Sequence, residues 1–314
     1  MKNSSTILAW RIRRGGRRAY RAFCRKLYRD SLGSQVRTVI VAGAARSGST
    51  WLGDLIASQL PTRVMFEPFY ARVVPEYSTF PDFLYMRPEA ENSRLANYCR
   101  KVFHGQIRDP WIDSQIACLR PKLRVVKEVR INLLLRWMSV RFPDVSQVLI
   151  FRHPCSVVQS RMSMGWTADS DLRAMLSQQS LVDDFVRDKI DYVNSLTTAE
   201  ERHAAVWCLS YLVPVKQFGT TGLPSVFYER LIANPDQELA RVFALARITP
   251  SKTFDRMIIR PSLTSTPHSA VVTGDSKLAI WKKRLSTSEI RNILSVVEAF
   301  GMSHIYDSSE MPLE

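Results

Sequence analysis

Five stretches of the chain are short and nearly continuous in apolar character, each closed by charged, small or turn-forming residues: VRTVIVAG (36–43), RVMFEP (63–68), LRVVKEV (123–129), QVLIFR (147–152) and SVFYERL (225–231). Their length and branched side chains predict strands. Continuous rather than alternating apolarity predicts strands covered on both faces. Helical spacing predicts the intervening elements. One helix runs from about Thr50 to Leu60 and ends at Pro61, and a second covers 131–142. A third opens at Pro154, others fill 171–193 and 199–218, and another starts at Pro235. The last begins at Ser286, where Glu289 follows at capping-box spacing. Residues 69–120 carry several prolines and aromatics without a clean period, and are expected to form loops and short helices. Strand and helix alternate, which predicts an α/β fold with a central parallel sheet flanked by helices. It is expected to be a single domain over 35–314, preceded by a basic, helical extension over 1–34.

The first strand feeds the segment GAARSGSTW. Gly43 and Gly48 occupy the two glycine positions of the phosphate-cradling loop G-x-x-x-x-G-K-[ST], so the domain is P-loop-like. Small residues let an anion approach the main chain, and the following helix contributes its N–H groups and dipole. Ser49 stands where the lysine of nucleoside triphosphatases would be, with Thr50 next. That argues against ordinary ATP or GTP hydrolysis. Arg46, two residues before Gly48, is the nearby replacement cation.

Composition narrows the class further. A chain of 314 residues that is 46% hydrophobic and 10% aromatic can pack a large core. The formal net charge of +15 is uneven: residues 1–30 contain ten Lys/Arg against Asp30 alone. Arginines from position 11 onward interrupt any signal-peptide core, and no run reaches the ~18 apolar residues of a membrane span. Tyr20, Phe23 and Leu27 fall on one helical stripe among these basic residues, a pattern that suits an anionic membrane or a polyanion, or a helix packed on its own domain. Five scattered cysteines without a C-x-x-C pair fit reduced thiols. The histidines form no ligand cluster, so no metal site is expected.

RSGSTWL (46–52) resembles the 5′-phosphosulfate loop of the sulfotransferases, which use 3′-phosphoadenosine 5′-phosphosulfate (PAPS) as donor. A second element agrees. FRHPCSVVQSR (151–161) resembles the family's 3′-phosphate motif, with Arg152 at the end of a strand and Ser160 eight residues on; His153 stands where an aspartate is usual. PAPS carries two phosphate groups and needs two anion sites, and an arginine fork with a hydroxyl at a helix start suits the second. FYERLIANP (227–235) resembles the segment whose tyrosine, here Tyr228, lies near the adenine. TGDSKLAIWKKRLS (273–286) is a loose likeness of the C-terminal basic region, which implicates Lys277 and Trp281. KEVRINLLL (127–135) resembles a segment of carbohydrate sulfotransferases. The resemblance therefore implies a PAPS-dependent sulfotransferase of carbohydrate or bacterial type. It implies donor binding by Arg46, Ser47, Gly48, Ser49, Thr50, Trp51, Arg152, Ser160, Tyr228 and Lys277, without a metal.

Sulfuryl transfer needs positioning and stabilisation of charge on the leaving group. Arg46 and Lys127 are the expected cations. A base must accept the acceptor's proton. Val129 occupies the position of the histidine base of phenol- and steroid-type members, so the resemblance points instead to Glu67. Glu128 is the second candidate, but strand alternation turns it away from Lys127; His268 is a third. Catalysis is expected from Glu67, Lys127 and Arg46, on a hydroxyl or amine of a saccharide or glycolipid. The enzyme is expected in the cytoplasm, peripheral at the inner membrane surface through residues 1–30, with no specific nucleic acid partner. Two rival readings are a P-loop kinase-like phosphotransferase and a non-catalytic membrane- or polyanion-binding protein. The absence of an apolar run ending in aspartate weighs against the first, and the intact Arg46, Thr50, Arg152 and Ser160 against the second.

Overall fold

The computed structural model describes residues 19–30, 37–250 and 278–313. Five strands, β1 (Thr38–Ala42), β2 (Thr62–Phe66), β3 (Leu123–Glu128), β4 (Ser146–Phe151) and β5 (Ser225–Phe227), form one sheet in the order β2-β3-β1-β4-β5. Every pairing is parallel. All five strands therefore end at the same edge, where open α/β sheets bind ligands.

Alternation along the strands sorts side chains between two cores. Val39, Val41, Val125, Val148 and Ile150 face one cluster with α2 (Ser49–Ala57) and the helix Pro235–Ala246. Ile40, Ala42, Val126, Leu149 and Phe151 face the other and larger cluster. That face is covered by the helices Ser93–Phe103, Leu135–Arg141, Pro154–Met162, Ala199–Gly222 and Thr287–Ala299. The continuous apolarity of the strand sequences is thus burial on both faces.

Two elements differ from expectation. The strand expected over 225–231 stops at Phe227, and Tyr228–Ala233 is helical. Its partner β4 pairs only from Leu149 to Phe151, so nothing continues the ladder, and the Phe227 N–H is taken by the Glu238 carboxylate at 2.9 Å. The helix expected over 171–193 is broken into Asp169–Leu176, a π turn at Val182–Val186 and Ile190–Ser195. Here tertiary contacts override propensity: Asp184 receives both Arg87 nitrogens and the Tyr85 hydroxyl, and Gln178 bonds the backbone of Phe83 and Tyr85. The 69–120 region forms loops and short helices as expected, among them the eleven-residue helix Ser93–Phe103, capped by the Asn92 side chain on the Leu95 N–H. Its buried Leu95, Tyr98, Cys99 and Val102 keep helical spacing. The capping box at Ser286 and Glu289 forms as expected.

Residues 19–27 form helix α1, tied to α2 by the Arg21–Asp54 pair and to the loop before β3 by Arg25, which donates to the Pro110 carbonyl. Cys24 and Tyr28 are buried with Ile116, and the Tyr28 hydroxyl donates to Asp113 at 2.7 Å. Asp30 reaches under the sheet, where its carboxylate receives Arg63 Nη1 at 3.1 Å and Arg124 Nε and Nη2 at 2.8 and 2.6 Å.

Candidate functional site

The chain leaves β1 at Ala42 and turns through residues 43–48 into α2. Arg46 (φ 77°) and Gly48 (φ 98°) are both left-handed, on either side of Ser47. Such a turn directs successive N–H groups to one side, a concavity suited to an anion. No described side chain caps α2, which leaves its first amides to another partner. The glycines are required by close approach. A Cβ on Gly43 would lie 2.6 Å from Ser47 Oγ and 2.8 Å from the Ile150 carbonyl; one on Gly48 would lie 2.8 Å from the Tyr228 ring. The loop is tied to β4 through Tyr211, whose hydroxyl accepts from the Ala44 N–H at 3.0 Å and donates to the Ile150 carbonyl at 2.8 Å.

Arg152 emerges directly after β4, beside this loop, and its Nη1 donates to the Arg46 carbonyl at 3.0 Å. That bond helps hold Arg46 in a backbone region costing of order 1–3 kcal/mol for a non-glycine residue. Arg46 Nε in turn donates to Ser160 Oγ at 3.0 Å, so the two expected anion-binding elements are in direct contact. Burial, and then the charge of Arg152, lowers the Arg46 pKa to about 10. Arg152 lies over the Tyr228 ring at 4.4 Å, with Trp51 edge-on to the same ring at 5.7 Å. Among the described residues, the buried Nε of Arg152 has no hydrogen-bond partner. It is an unsatisfied cationic donor beside a phosphate-type loop.

His153, in the position where aspartate was expected, is core. Its Nδ1 accepts the Cys155 N–H at the start of the helix Pro154–Met162, its Nε2 bonds the Asp307 carbonyl, and its ring stacks on Trp281 at 4.5 Å. Burial depresses its pKa to about 4, which keeps the ring neutral. Trp281 is therefore part of the packing behind Arg152.

The third element joins the ends of β2 and β3. Lys127 Nζ donates to Glu67 Oε1 at 2.5 Å, Arg130 Nη1 donates to Oε2 at 2.8 Å, and Glu67 N–H bonds the Lys127 carbonyl. Glu67 is also left-handed, at φ 46°. Burial by itself raises its pKa, but Lys127 and Arg130 outweigh this and hold the carboxyl below its usual value. The Lys127 stem lies against α2 at Gly53, which joins this cluster to the phosphate-type loop. Glu128 points to the opposite face, as alternation requires, and its carboxylate accepts the Phe69, Val129 and Arg130 N–H groups. Burial, reinforced by Glu67, raises its pKa to about 7. Its role is to tie two loops together. Arg130 lies over Tyr70 at 3.6 Å, and Trp111 stands near Tyr70 and Phe66.

Arg46, Ser47, Gly48, Ser49, Thr50, Trp51, Arg152, Ser160 and Tyr228 thus gather at the strand ends, with Lys127 and Glu67 joined to them through α2. Lys277 and His268 lie outside the described residues. Sequence reasoning assigned no role to Arg130, although it sits three residues past Lys127 at the end of an apolar run. Among the described residues, no group of three or more His, Cys, Asp and Glu is placed to share a metal ion.

No family model matches the chain, and neither does any curated protein. Solved structures that it is similar to include sulfotransferases. The sulfotransferase domain from the curacin biosynthetic pathway is 15% identical with a TM-score of 0.42, over 85% of this chain and 98% of that one. The sulfotransferase domain from the Synechococcus PCC 7002 olefin synthase is 15% identical with a TM-score of 0.40, over 87% and 95%. Mouse sulfotransferase SULT7A1 complexed with PAP is 13% identical with a TM-score of 0.39, over 87% and 84%. Among the described residues, no helix is long and apolar enough to cross a membrane.

Proposed function

We propose that this chain transfers a sulfuryl group from PAPS to a hydroxyl or amine of an acceptor. The observation that carries the reading is the pairing of Arg46 and Arg152 on adjacent strand-end loops, with the buried Arg152 Nε left without a partner among the described residues. A nucleotide bearing anionic groups at both its 5′ and 3′ positions satisfies both guanidiniums, and the glycine-lined turn and uncapped α2 suit its 5′ end. Arg46 would hold the 5′-phosphosulfate with the loop amides, and Arg152 with Ser160 the 3′-phosphate. Ser160 accepts from Arg46 through its Oγ and keeps its own O–H to donate, so this contact is compatible with both groups being held. Tyr228 and Trp51 offer aromatic surface to the base.

When bound, PAPS supplies the sulfuryl group and a phosphate leaving group. Lys127, on the face of the sheet that carries α2, is suited to stabilise charge on the leaving oxygen. Glu67 is suited to receive the acceptor's proton once it is freed from Lys127 and Arg130. The partly buried rings of Tyr70 and Trp111 beside Arg130 would suit a saccharide or lipid-linked glycan as acceptor. The test is calorimetric titration with 3′-phosphoadenosine 5′-phosphate and with magnesium-ATP. The expected result is metal-independent binding of the former, weakened roughly 10- to 100-fold in Arg152→Ala, the worth of a charge-assisted hydrogen bond. Preference for magnesium-ATP would sink the proposal in favour of phosphoryl transfer.

A further inference from the structure

Helix α1 uses only one face for the fold. Cys24 and Tyr28 are turned inward at 0% and 2% exposure. Arg21 pairs with Asp54, Arg25 donates to the Pro110 carbonyl, and Asp30 is held by Arg63 and Arg124. These contacts fix the rotation of the helix about its axis. They leave Tyr20, Phe23 and Leu27 on the outer face, each 54% exposed. The three cannot turn inward without giving up the Tyr28 and Asp30 anchors. Large apolar side chains aligned on one exposed stripe are unusual for a surface that meets only water.

The charge around the stripe points to what covers it. Lys26 and Arg29 are exposed beside it, and five arginines occupy positions 11 to 18 immediately before the helix in sequence. Aliphatic and aromatic residues on one face, with cations at the flanks and upstream, match the interfacial region of an anionic bilayer. Apolar groups enter the acyl boundary there while arginine and lysine stay among headgroup phosphates. A nucleic acid duplex would engage the cations through its phosphates, but its bases are stacked on one another and give the stripe no apolar partner.

We infer that α1 is a membrane-docking helix, which inserts Tyr20, Phe23 and Leu27 into the surface of an anionic lipid bilayer and pairs the surrounding Lys and Arg side chains with its headgroups. The docking element is anchored near the starts of β2 and β3, where Arg63 and Arg124 hold Asp30, whereas the phosphate-type loop lies at the strand ends. The surface is thus separate from the candidate site, and its test does not depend on sulfuryl transfer.

The experiment is co-sedimentation of the full chain with vesicles of phosphatidylcholine alone or with roughly 30% phosphatidylglycerol. The expected result is partitioning at least about tenfold stronger onto the anionic vesicles, weakened by added salt. The triple variant Tyr20→Ser, Phe23→Ser, Leu27→Ser is expected to lose about tenfold or more of that partitioning. Its melting temperature should stay within about 3 °C of the parent, because the three side chains are each 54% exposed and surface substitutions cost about 0.5 kcal/mol or less apiece. Equal partitioning onto both vesicle types would overturn the inference. So would a triple variant that binds anionic vesicles like the parent, which would reassign the surface to charge alone. Concentration-dependent dimers that the triple variant abolishes, without vesicle binding, would instead assign the stripe to a second copy of the chain.

Discussion

Replacing Asp30 by alanine tests whether the basic N-terminal segment belongs to the folded body. The carboxylate receives three charge-assisted hydrogen bonds from two guanidiniums whose side chains are 0% exposed, and it is itself 4% exposed. Removal of one partner of a buried pair costs about 3–5 kcal/mol, mostly through the stranded charge. Arg63 would keep Asp113 at 3.0 Å together with the Gly105 and Ile107 carbonyls, whereas Arg124 would lose the carboxylate that grips it by two nitrogens. The cost therefore falls near the lower bound, about 3 kcal/mol. At roughly 2 °C per kcal/mol for a chain of this size, the melting temperature should drop by about 6 °C. Asp30→Asn, which retains volume and one acceptor oxygen, should recover part of it. Urea denaturation with circular dichroism detection gives the free energy, and differential scanning calorimetry gives the melting temperature. A chain starting at residue 31 should be at least as unstable as Asp30→Ala. If that truncated chain matched the parent, or Asp30→Ala cost under about 1 kcal/mol, the buried-pair reasoning would be refuted.

Three further outcomes are expected. Glu67→Gln should lower sulfuryl-transfer kcat by about 100-fold or more while nucleotide affinity stays within about threefold, since a general base acts on the acceptor side; retention of a tenth of the activity would remove Glu67 from that role. Gly48→Ala must adopt a left-handed backbone costing about 1–2 kcal/mol and push a methyl group against Tyr228, so calorimetry should register a loss of nucleotide binding that Gly53→Ala, with a right-handed backbone and ordinary contact distances, does not share. His203 is held neutral by burial and by the Arg161 charge, with its pKa lowered to about 4 against an unfolded value near 6.5. The unfolded chain then binds the extra proton, so this stability is full above pH 6.5 and is lost as pH falls toward 4. Glu128, raised to about 7, contributes in the opposite sense over 7 to 4.5, so the His203 effect is read from a variant. His203→Gln should flatten the urea-measured stability profile between pH 6.5 and 4.5 by up to one proton.

The parts of the site legible in the sequence are those where a strand's apolar run stops. Arg46 with its glycines, Arg152 and Lys127 all stand at such stops, so one-dimensional pattern locates them. Tyr228 was placed on a strand and is helical, because the ladder ends where β4 has no more residues to offer; a strand's own sequence does not state the length of its neighbour. Pairings across long separations were not legible. Arg130 meets Glu67 from 63 residues away, and Asp30 meets Arg124 from 94. Each looks locally like a solvated surface charge, and only folding shows it to be buried and matched. The N-terminal stripe was visible as periodicity, but whether its apolar face turned inward depended on Cys24 and Tyr28, which lie one residue past Phe23 and Leu27.

The double hold on Glu67 bears on the order in which substrates add. With one carboxylate oxygen on Lys127 and the other on Arg130, its affinity for a proton is depressed, and it is a poor acceptor until one cation is drawn elsewhere. On the proposed function, an arriving anionic donor is the natural competitor for Lys127. The clamp would then behave as an interlock, with the base disarmed until the donor is seated. Steady-state kinetics should show compulsory donor-first addition, with the desulfated nucleotide competitive against donor and noncompetitive against acceptor, and Arg130→Ala should increase idle hydrolysis of the donor when no acceptor is present.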